Sequence, residues 1–193
     1  MARIGIVHHT STGYTGILAA AVARGADSEA QSIVERVEIV GSDIAEGRYA
    51  NDAAMETLDA CDAIVFGAPT YMGAVSAQMK AFLDATLSRW YSRSWSGKIG
   101  AAFTVSSTPS GDKLNTLLDI FVCGMQHGMI WVGLDQLPIA PEQANRLGVY
   151  VGVAAQPDYQ AEQPALLAGD AASGESLGMR VARFAALATR RGE

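Results

Sequence analysis

Residues 7–17 read V-H-H-T-S-T-G-Y-T-G-I. A short apolar run, R-I-G-I-V-H at 3–8, leads into them, and G-I-L-A-A-A-V-A-R-G-A at 16–26 leads out. The first has the length and composition of a strand; the second is a small-residue helix able to lie close to a sheet. Between them stand three threonines, a serine and two glycines, with no lysine or arginine. A tight turn with a capping threonine needs fewer hydroxyls. A hydroxyl- and glycine-rich loop entering a helix N-terminus is an anion cradle: the first-turn N–H groups lack intrahelical partners, the helix dipole favours negative charge, and hydroxyls add donors. Oriented dipoles of this kind hold a phosphate without a cationic side chain.

Outward from this loop the pattern alternates between strand and helix. E-R-V-E-I-V at 35–40 places Val37 and Ile39 on one side, the period of an edge strand with one wetter face. By contrast, 63–67 (A-I-V-F-G), 99–105 (I-G-A-A-F-T-V) and 129–133 (G-M-I-W-V) are almost unbroken apolar runs, as in strands covered on both faces. Helical periods lie between them. Val75, Met79, Phe82, Leu83 and Thr86 share one face; Leu114, Leu117, Leu118, Phe121 and Met125 share another. Leu177, Val181, Phe184 and Leu187 mark a last helix, with Arg180, Arg183 and Arg190 on its wet side. The alternation predicts an α/β doubly wound, five-stranded parallel sheet in the order 2-1-3-4-5, with helices on both faces. Residues 134–148 read as an insertion that delays the end of the fifth strand until a short run at Val149–Val153, and 155–175 as surface loop.

In that order ligands sit at the switch point between strands one and three, outside the carboxyl ends. Three loops converge there: His9–Thr15, Ala68–Ala74 (A-P-T-Y-M-G-A) and Ser106–Asp112 (S-S-T-P-S-G-D), each rich in Gly, Ser, Thr or Pro. His8 and His9 end the first strand and point to opposite faces, which makes them a poor metal pair. They read as structural, with His9 the nearer to a ligand, and no metal is expected.

The totals agree with a soluble globular chain. Its 193 residues fit one domain, 1–193, and are 49% apolar and 18% charged, enough to bury a core without staples. A net charge of -6 without a basic block argues against nucleic acid or an anionic membrane surface as partner. The apolar runs fall far short of the roughly 18 residues of a membrane span. The N-terminus carries no signal-peptide pattern, so the cytoplasm is the expected compartment. Cys61 and Cys123 read as free thiols.

Competing motifs fail. No G-x-G-x-x-G follows a strand, and Gly97-Lys98 is followed by isoleucine rather than completing a P-loop. G-E-S-L-G at 174–178 fits a hydrolase elbow, but no strand precedes it and no histidine follows Ser176, so Ser173 or Ser176 reads as a cap of the last helix.

T-S-T-G-Y-T at 10–15 matches the flavodoxin phosphate-loop pattern. The run D-A-I-V-F-G-A-P-T-Y-M-G-A-V-S-A-Q-M-K-A-F-L-D at 62–84, with S-G-K-I-G-A-A-F at 96–103 and Q-H-G-M at 126–129, resembles the WrbA-type NAD(P)H:quinone oxidoreductases of the flavodoxin-like superfamily. The resemblance covers residues 3–133 and fades beyond. It implies FMN, with the phosphate on Thr10, Ser11, Thr12, Gly13, Tyr14 and Thr15. Pro69, Thr70, Tyr71, Met72, Gly73 and Ala74 would run beside the isoalloxazine, and Ser107, Thr108, Pro109 and Gly111 would close its other edge. Two departures stand out: Pro109 and Ser110 replace a glycine-rich run, and Tyr71-Met72 replaces an Arg–aromatic pair.

The resemblance further implies that NADH or NADPH delivers hydride to the flavin and that a quinone then takes two electrons on the same face, a ping-pong sequence. Backbone N–H groups of 72–74 or 107–111 would face the negative charge of the reduced ring. His127 is the expected polar group at the quinone site, against the alternative of a histidine on a helix end. Trp90 would line a neighbouring subunit's site, and Trp90, Tyr91 and Trp95 also read as an interface of a homodimer or homotetramer. Two other functions share these features: a non-enzymatic flavodoxin-type electron carrier, and an NADPH-dependent FMN or azo reductase. A receiver-type signalling domain lacks its acidic cluster, since His8-His9 and Gly67-Ala68 occupy those strand ends.

Overall fold

A computed structural model describes residues 1–30, 32–140 and 142–190. The chain starts with β1 (Ala2–His9), crosses through α1 (Tyr14–Asp27) and returns as β2 (Ser32–Ile39). A short hairpin, β3 (Ile44–Ala45) with β4 (Arg48–Tyr49), precedes α2 (Asp52–Asp59) and β5 (Ala63–Tyr71). A reversal at Met72-Gly73 pairs β6 (Ala74–Val75) with the end of β5, and α3 (Ala77–Ala85) and α4 (Leu87–Tyr91) follow. Then come β7 (Ile99–Val105), α5 (Lys113–Gln126), β8 (Ile130–Trp131), β9 (Val153–Ala155) and α6 (Ala168–Arg190).

The parallel strands lie in the order β2-β1-β5-β7, and β8 and β9 together fill the next position. This is the expected 2-1-3-4-5 order, with the wetter β2 on the edge. The fifth strand is split. β8 pairs with Ile99-Gly100 at the start of β7 and β9 with Phe103–Val105 at its end, and 132–152 loop out between them. Trp131 Nε1–H donates to the Val151 carbonyl at 2.7 Å, so the excursion returns beside its exit.

Period-two alternation sorts the strand side chains into two cores. Ile4, Ile6, Val65, Ala101 and Phe103 meet Leu18 and Val22 of α1 and Leu177 and Val181 of α6. Val7, Ile64, Phe66 and Ala102 meet Leu58 of α2, Phe82 of α3 and Leu117 and Ile120 of α5. Because both faces are covered, the central strands read as unbroken apolar runs rather than alternating ones. Among the described residues no helix is long and apolar enough to cross a membrane.

Five expectations change. The segment 155–175 is loop only as far as Leu167, because α6 begins at Ala168. Ser173 and Ser176 therefore lie inside that helix and cap nothing; Ser173 Oγ donates to the Gly169 carbonyl at 2.7 Å and accepts the Asn145 N–H at 2.6 Å. The sequence A-G-D-A-A-S-G at 168–174 hides its helix, since small residues carry its burial. On α6 itself Leu177 and Val181 are buried beside Ala182 and Ala185, whereas Phe184 and Leu187 are exposed. Arg183 is on the wet side, Arg180 reaches back to the Gly133 carbonyl at 2.9 Å, and the side chain of Arg190 lies outside those described. On α5 the covered face is Lys113, Thr116, Leu117, Ile120 and Gly124; Leu114, Leu118 and Met125, expected there with Leu117, are exposed. Residues 68–74 form no open loop, for β5 continues to Tyr71 and folds back as a hairpin.

α1 and α6 approach at backbone distance. A Cβ on Gly178 would stand 1.9 Å from the Val22 carbonyl oxygen, and one on Gly25 equally close to that of Glu175. Each helix would meet main chain rather than a yielding side chain. Gly178→Ala is thus expected to lower the unfolding free energy in urea by about 3 kcal/mol. Gly41→Ala, where a Cβ meets nothing within 4 Å, is expected to change it by less than about 0.5 kcal/mol.

Candidate functional site

The carboxyl ends of β1, β5 and β7, with the segments that follow them, meet at the switch point between β1 and β5, around a cleft of about 320 Å³. Thr12, Tyr14 and Thr15 line it from the first segment, Pro69, Thr70 and Tyr71 from the second, and Val105, Ser106 and Ser107 from the third. Pro157 and Tyr159, from the segment after β9, complete the wall.

α1 begins without a capping side chain and without an acidic residue in its first turn. Gly13, the N-cap, has φ +87°, a left-handed conformation that a side chain resists, and Thr10 Oγ1 accepts its N–H at 3.0 Å. Ser11, Thr12 and Gly13 are exposed. The loop is thus held from within by Thr10 while its hydroxyls and the first-turn donors of α1 face outward.

The two histidines at the end of β1 part company as expected. His9 turns toward α3, with Nδ1 2.8 Å from Ser76 Oγ and Nε2 3.5 Å from Ser11 Oγ, so it ties the loop to the start of that helix. His8 is buried on the other side, both ring nitrogens without a hydrogen-bond partner. Burial, assisted by Arg36, lowers its pKa to about 4. Glu38, 3.9 Å away and half exposed, is too distant and too well hydrated to offset this.

At the end of β5, Thr70 Oγ1 meets Thr104 Oγ1 of β7 at 2.8 Å. The hairpin turns on Met72 (φ +49°) and Gly73, and Asn115 Nδ2–H donates to the Gly73 carbonyl at 2.7 Å, fastening the tip to α5. Met72 stands fully exposed at the apex. The hairpin separates two spaces: Tyr71 lines the cleft, and Ala74 lines a second recess.

In the third segment Ser106 and Ser107 face the cleft, and Gly111 lies against Ser106. The carbonyls of Thr108 and Pro109 turn to Lys113 Nζ, at 3.2 Å for Pro109. Sequence reasoning missed the fourth wall. Tyr159 OH donates to Ser107 Oγ at 3.0 Å, Gln156 Nε2–H to the Ser107 carbonyl at 2.9 Å, and the Tyr159 ring meets Tyr14 edge-on with centroids 6.2 Å apart. One signal could have found it: the rule that ligands lie beyond strand carboxyl ends applies to the fifth strand too, and Q-P-D-Y follows β9 directly.

His127 and Trp90 are not brought to this cleft within the chain. Both line the second recess, about 670 Å³, between α3, α4 and α5, with Leu83, Leu118, Val122 and Cys123. His127 follows the last residue of α5, a helix of 14 residues and so roughly 20 Å long at 1.5 Å per residue. It is 3% exposed, its Nε2 lies 2.9 Å from Thr86 Oγ1, its ring packs 4.8 Å from that of Trp95, and its Nδ1 has no partner. Burial and Arg93 lower its pKa. Trp90 is partly exposed and edge-on to Tyr91. Cys61 and Cys123 are free thiols, both pushed up in pKa by burial.

The architecture is flavodoxin-like, and comparisons with known proteins extend this. A family model described as NADPH-dependent FMN reductase matches residues 4–141. Flavodoxin FldP of Pseudomonas aeruginosa is 36% identical over 189 residues, 95% of this chain and 97% of its own. A protein of Archaeoglobus fulgidus named NAD(P)H dehydrogenase (quinone) is 41% identical over 167 residues, 80% of this chain and 85% of its own. The crystal structure of a WrbA-like flavodoxin from Agrobacterium tumefaciens has a TM-score of 0.74 at 34% identity, with 97% and 99% of the two chains covered.

The state of His8 gives a pH dependence. The unfolded chain takes up this proton near pH 6.5 and the native chain only near 4, so the stability contribution is intact above about 6.5 and is lost as pH falls through that window. Unfolding free energies measured in urea at pH 7 and pH 4.5 are expected to differ by about 2 kcal/mol less in His8→Phe than in the parent chain. Equal losses in the two proteins would show that His8 is not the group responsible.

Proposed function

The chain belongs to the NADPH-dependent FMN reductase family, and on that premise we propose that it is an FMN-dependent oxidoreductase that passes two electrons from NADH or NADPH to quinones. One observation carries the reading: a capless, glycine- and hydroxyl-rich helix start opens into the same cleft as Thr70, Ser106, Ser107 and Tyr159.

The residues present fit FMN. A phosphate asks for outward donors, which Ser11, Thr12 and the first turn of α1 offer. The flavin ring asks for a slot with apolar walls and a few polar atoms, and Pro69, Tyr71, Val105, Pro157 and Tyr159 line one. Ser106 Oγ, at its wall, is buried without a partner and so is free to bond a ligand. Bound there, FMN supplies the hydride and electron chemistry. The chain's own groups bind and orient: Thr10 and His9 hold the phosphate loop in shape, Tyr71 and Tyr159 flank the slot, and Asn115 fixes the hairpin beside it. A single open slot serving donor and acceptor in turn makes the kinetics ping-pong.

His127 and Trp90 belong, in this reading, to an acceptor site completed by a second copy. Within one chain the length of α5 separates His127 from the Ser106–Asp112 side of the cleft, while Leu114, Leu118, Val122 and Met125 leave an apolar stripe exposed on that helix. Burying such a stripe against another subunit drives association into a homodimer or homotetramer. A second function has one observation in its favour: the Pseudomonas aeruginosa flavodoxin matches nearly end to end, which suits an electron carrier without turnover of its own.

Purified protein is expected to quench FMN fluorescence stoichiometrically and to oxidise NADH or NADPH with benzoquinone, giving parallel double-reciprocal lines. Tight FMN binding with no turnover would favour the carrier. His127→Ala is expected to raise the KM for the quinone about tenfold, the loss of one hydrogen bond to substrate, while the FMN Kd stays unchanged. An unchanged quinone KM removes His127 from the acceptor site.

A further inference from the structure

Lys113, the first residue of α5, is 1% exposed, and its Nζ donates to the carbonyls of Thr108 and Pro109 behind the cleft wall. Asp170 of α6, fully buried, takes Arg146 of the 132–152 excursion through both carboxylate oxygens, at 2.7 and 2.8 Å. The same carboxylate accepts the Gln156 N–H at 2.7 Å, and Gln156 Nε2–H reaches the carbonyl of Ser107. Three distant segments are thereby tied to one loop.

The charges of this cluster do not balance. Among the described residues Lys113 Nζ meets only the two carbonyls and no carboxylate, while Asp170 is already paired with Arg146, so the cluster holds two cations and one carboxylate. Burial lowers the Lys113 pKa to about 8 even with Asp170 opposing. A partly desolvated cation without its own counterion attracts whatever negative charge forms nearby, and the local dielectric screens that attraction weakly. Ser106 and Ser107, in the same loop, face the cleft. The loop's peptides are trans, so turning the Pro109 carbonyl to Lys113 turns the Ser110 N–H the other way.

We propose that Lys113 is a positioning residue that biases the cleft toward the reduced, anionic flavin, fixing the 107–110 backbone through two carbonyls and supplying, with Arg146 and Asp170, one uncompensated positive charge. This rests on the reading of the cleft as the FMN site. Two electrons and one proton added to FMN leave one negative charge on the ring, which the cluster then balances.

The test measures the Kd of oxidised FMN by fluorescence and the two-electron potential of the bound flavin. In Lys113→Met the oxidised Kd is expected to hold while reduced FMN binds about tenfold more weakly, a fall in potential of about 30 mV. Lys113→Arg restores the potential, and Asp170→Asn, which removes the opposing carboxylate, shifts it upward. If one variant does not fold, the sign of the shift in the other decides. Parallel weakening of both redox forms, or an unmoved potential, overturns the proposal. Refusal of oxidised FMN by the folded parent protein defeats the FMN reading instead.

Discussion

The seating of α1 is the constraint on which the rest depends. The helix lies on one face of the sheet, side by side with α6, its buried residues including Leu18, Ala19, Ala21, Val22, Gly25 and Ala26. Small residues there, matched by Gly174 and Gly178 on α6, let the two backbones touch and the helix lie low on the sheet. Its position fixes the direction in which its N-terminus points. That N-terminus is the proposed anion cradle, so the packing of alanines and glycines deep in one core sets the aim of donors at the surface.

A second layer of order comes from polar pairs that join segments far apart in the chain. His9 with Ser76, Thr70 with Thr104, Asp170 with Arg146 and Gln156, and Tyr159 with Ser107 each bridge separate loops or strands. Hydrogen bonds of this kind add modest net stability but are costly to leave unmade, so they specify one arrangement of the loops. The cleft is the place where these bridges converge. Its walls are consequently fixed by the protein rather than left to a ligand to arrange, which lowers the ordering cost of binding.

The chain also presents two chemically different spaces divided by one hairpin. On the cleft side the lining mixes hydroxyls and rings; on the recess side leucines and valines stand beside Lys80, Asp84 and Asp119, with His127 and Cys123 toward the end of α5. The apolar stripe on α5 explains why that helix carries leucines all round. One set fills the core, and the other is exposed.

Much of this was legible in the residues themselves. Unbroken apolar runs at 63–67 and 99–105 mark doubly covered strands, and the alternation at 35–40 marks the edge, because burial on two faces or one leaves a direct imprint on composition. T-S-T-G-Y-T marks the cradle, since backbone chemistry at a helix start demands those residue types. The start of α6 at Ala168, the covered face of α5 and the wall formed by Pro157 and Tyr159 left no such imprint. Glycines and alanines bury without showing a period, and a helix apolar on two sides does not say which side is covered. Tyr159 reaches Ser107 across 52 positions of chain, and Lys113 meets its loop only because α5 starts where β7 ends. Local sequence thus determined which segments are strand, helix and cradle, because those depend on near neighbours. Tertiary packing decided which side chains share the cleft, because that depends on how far-separated segments are brought together.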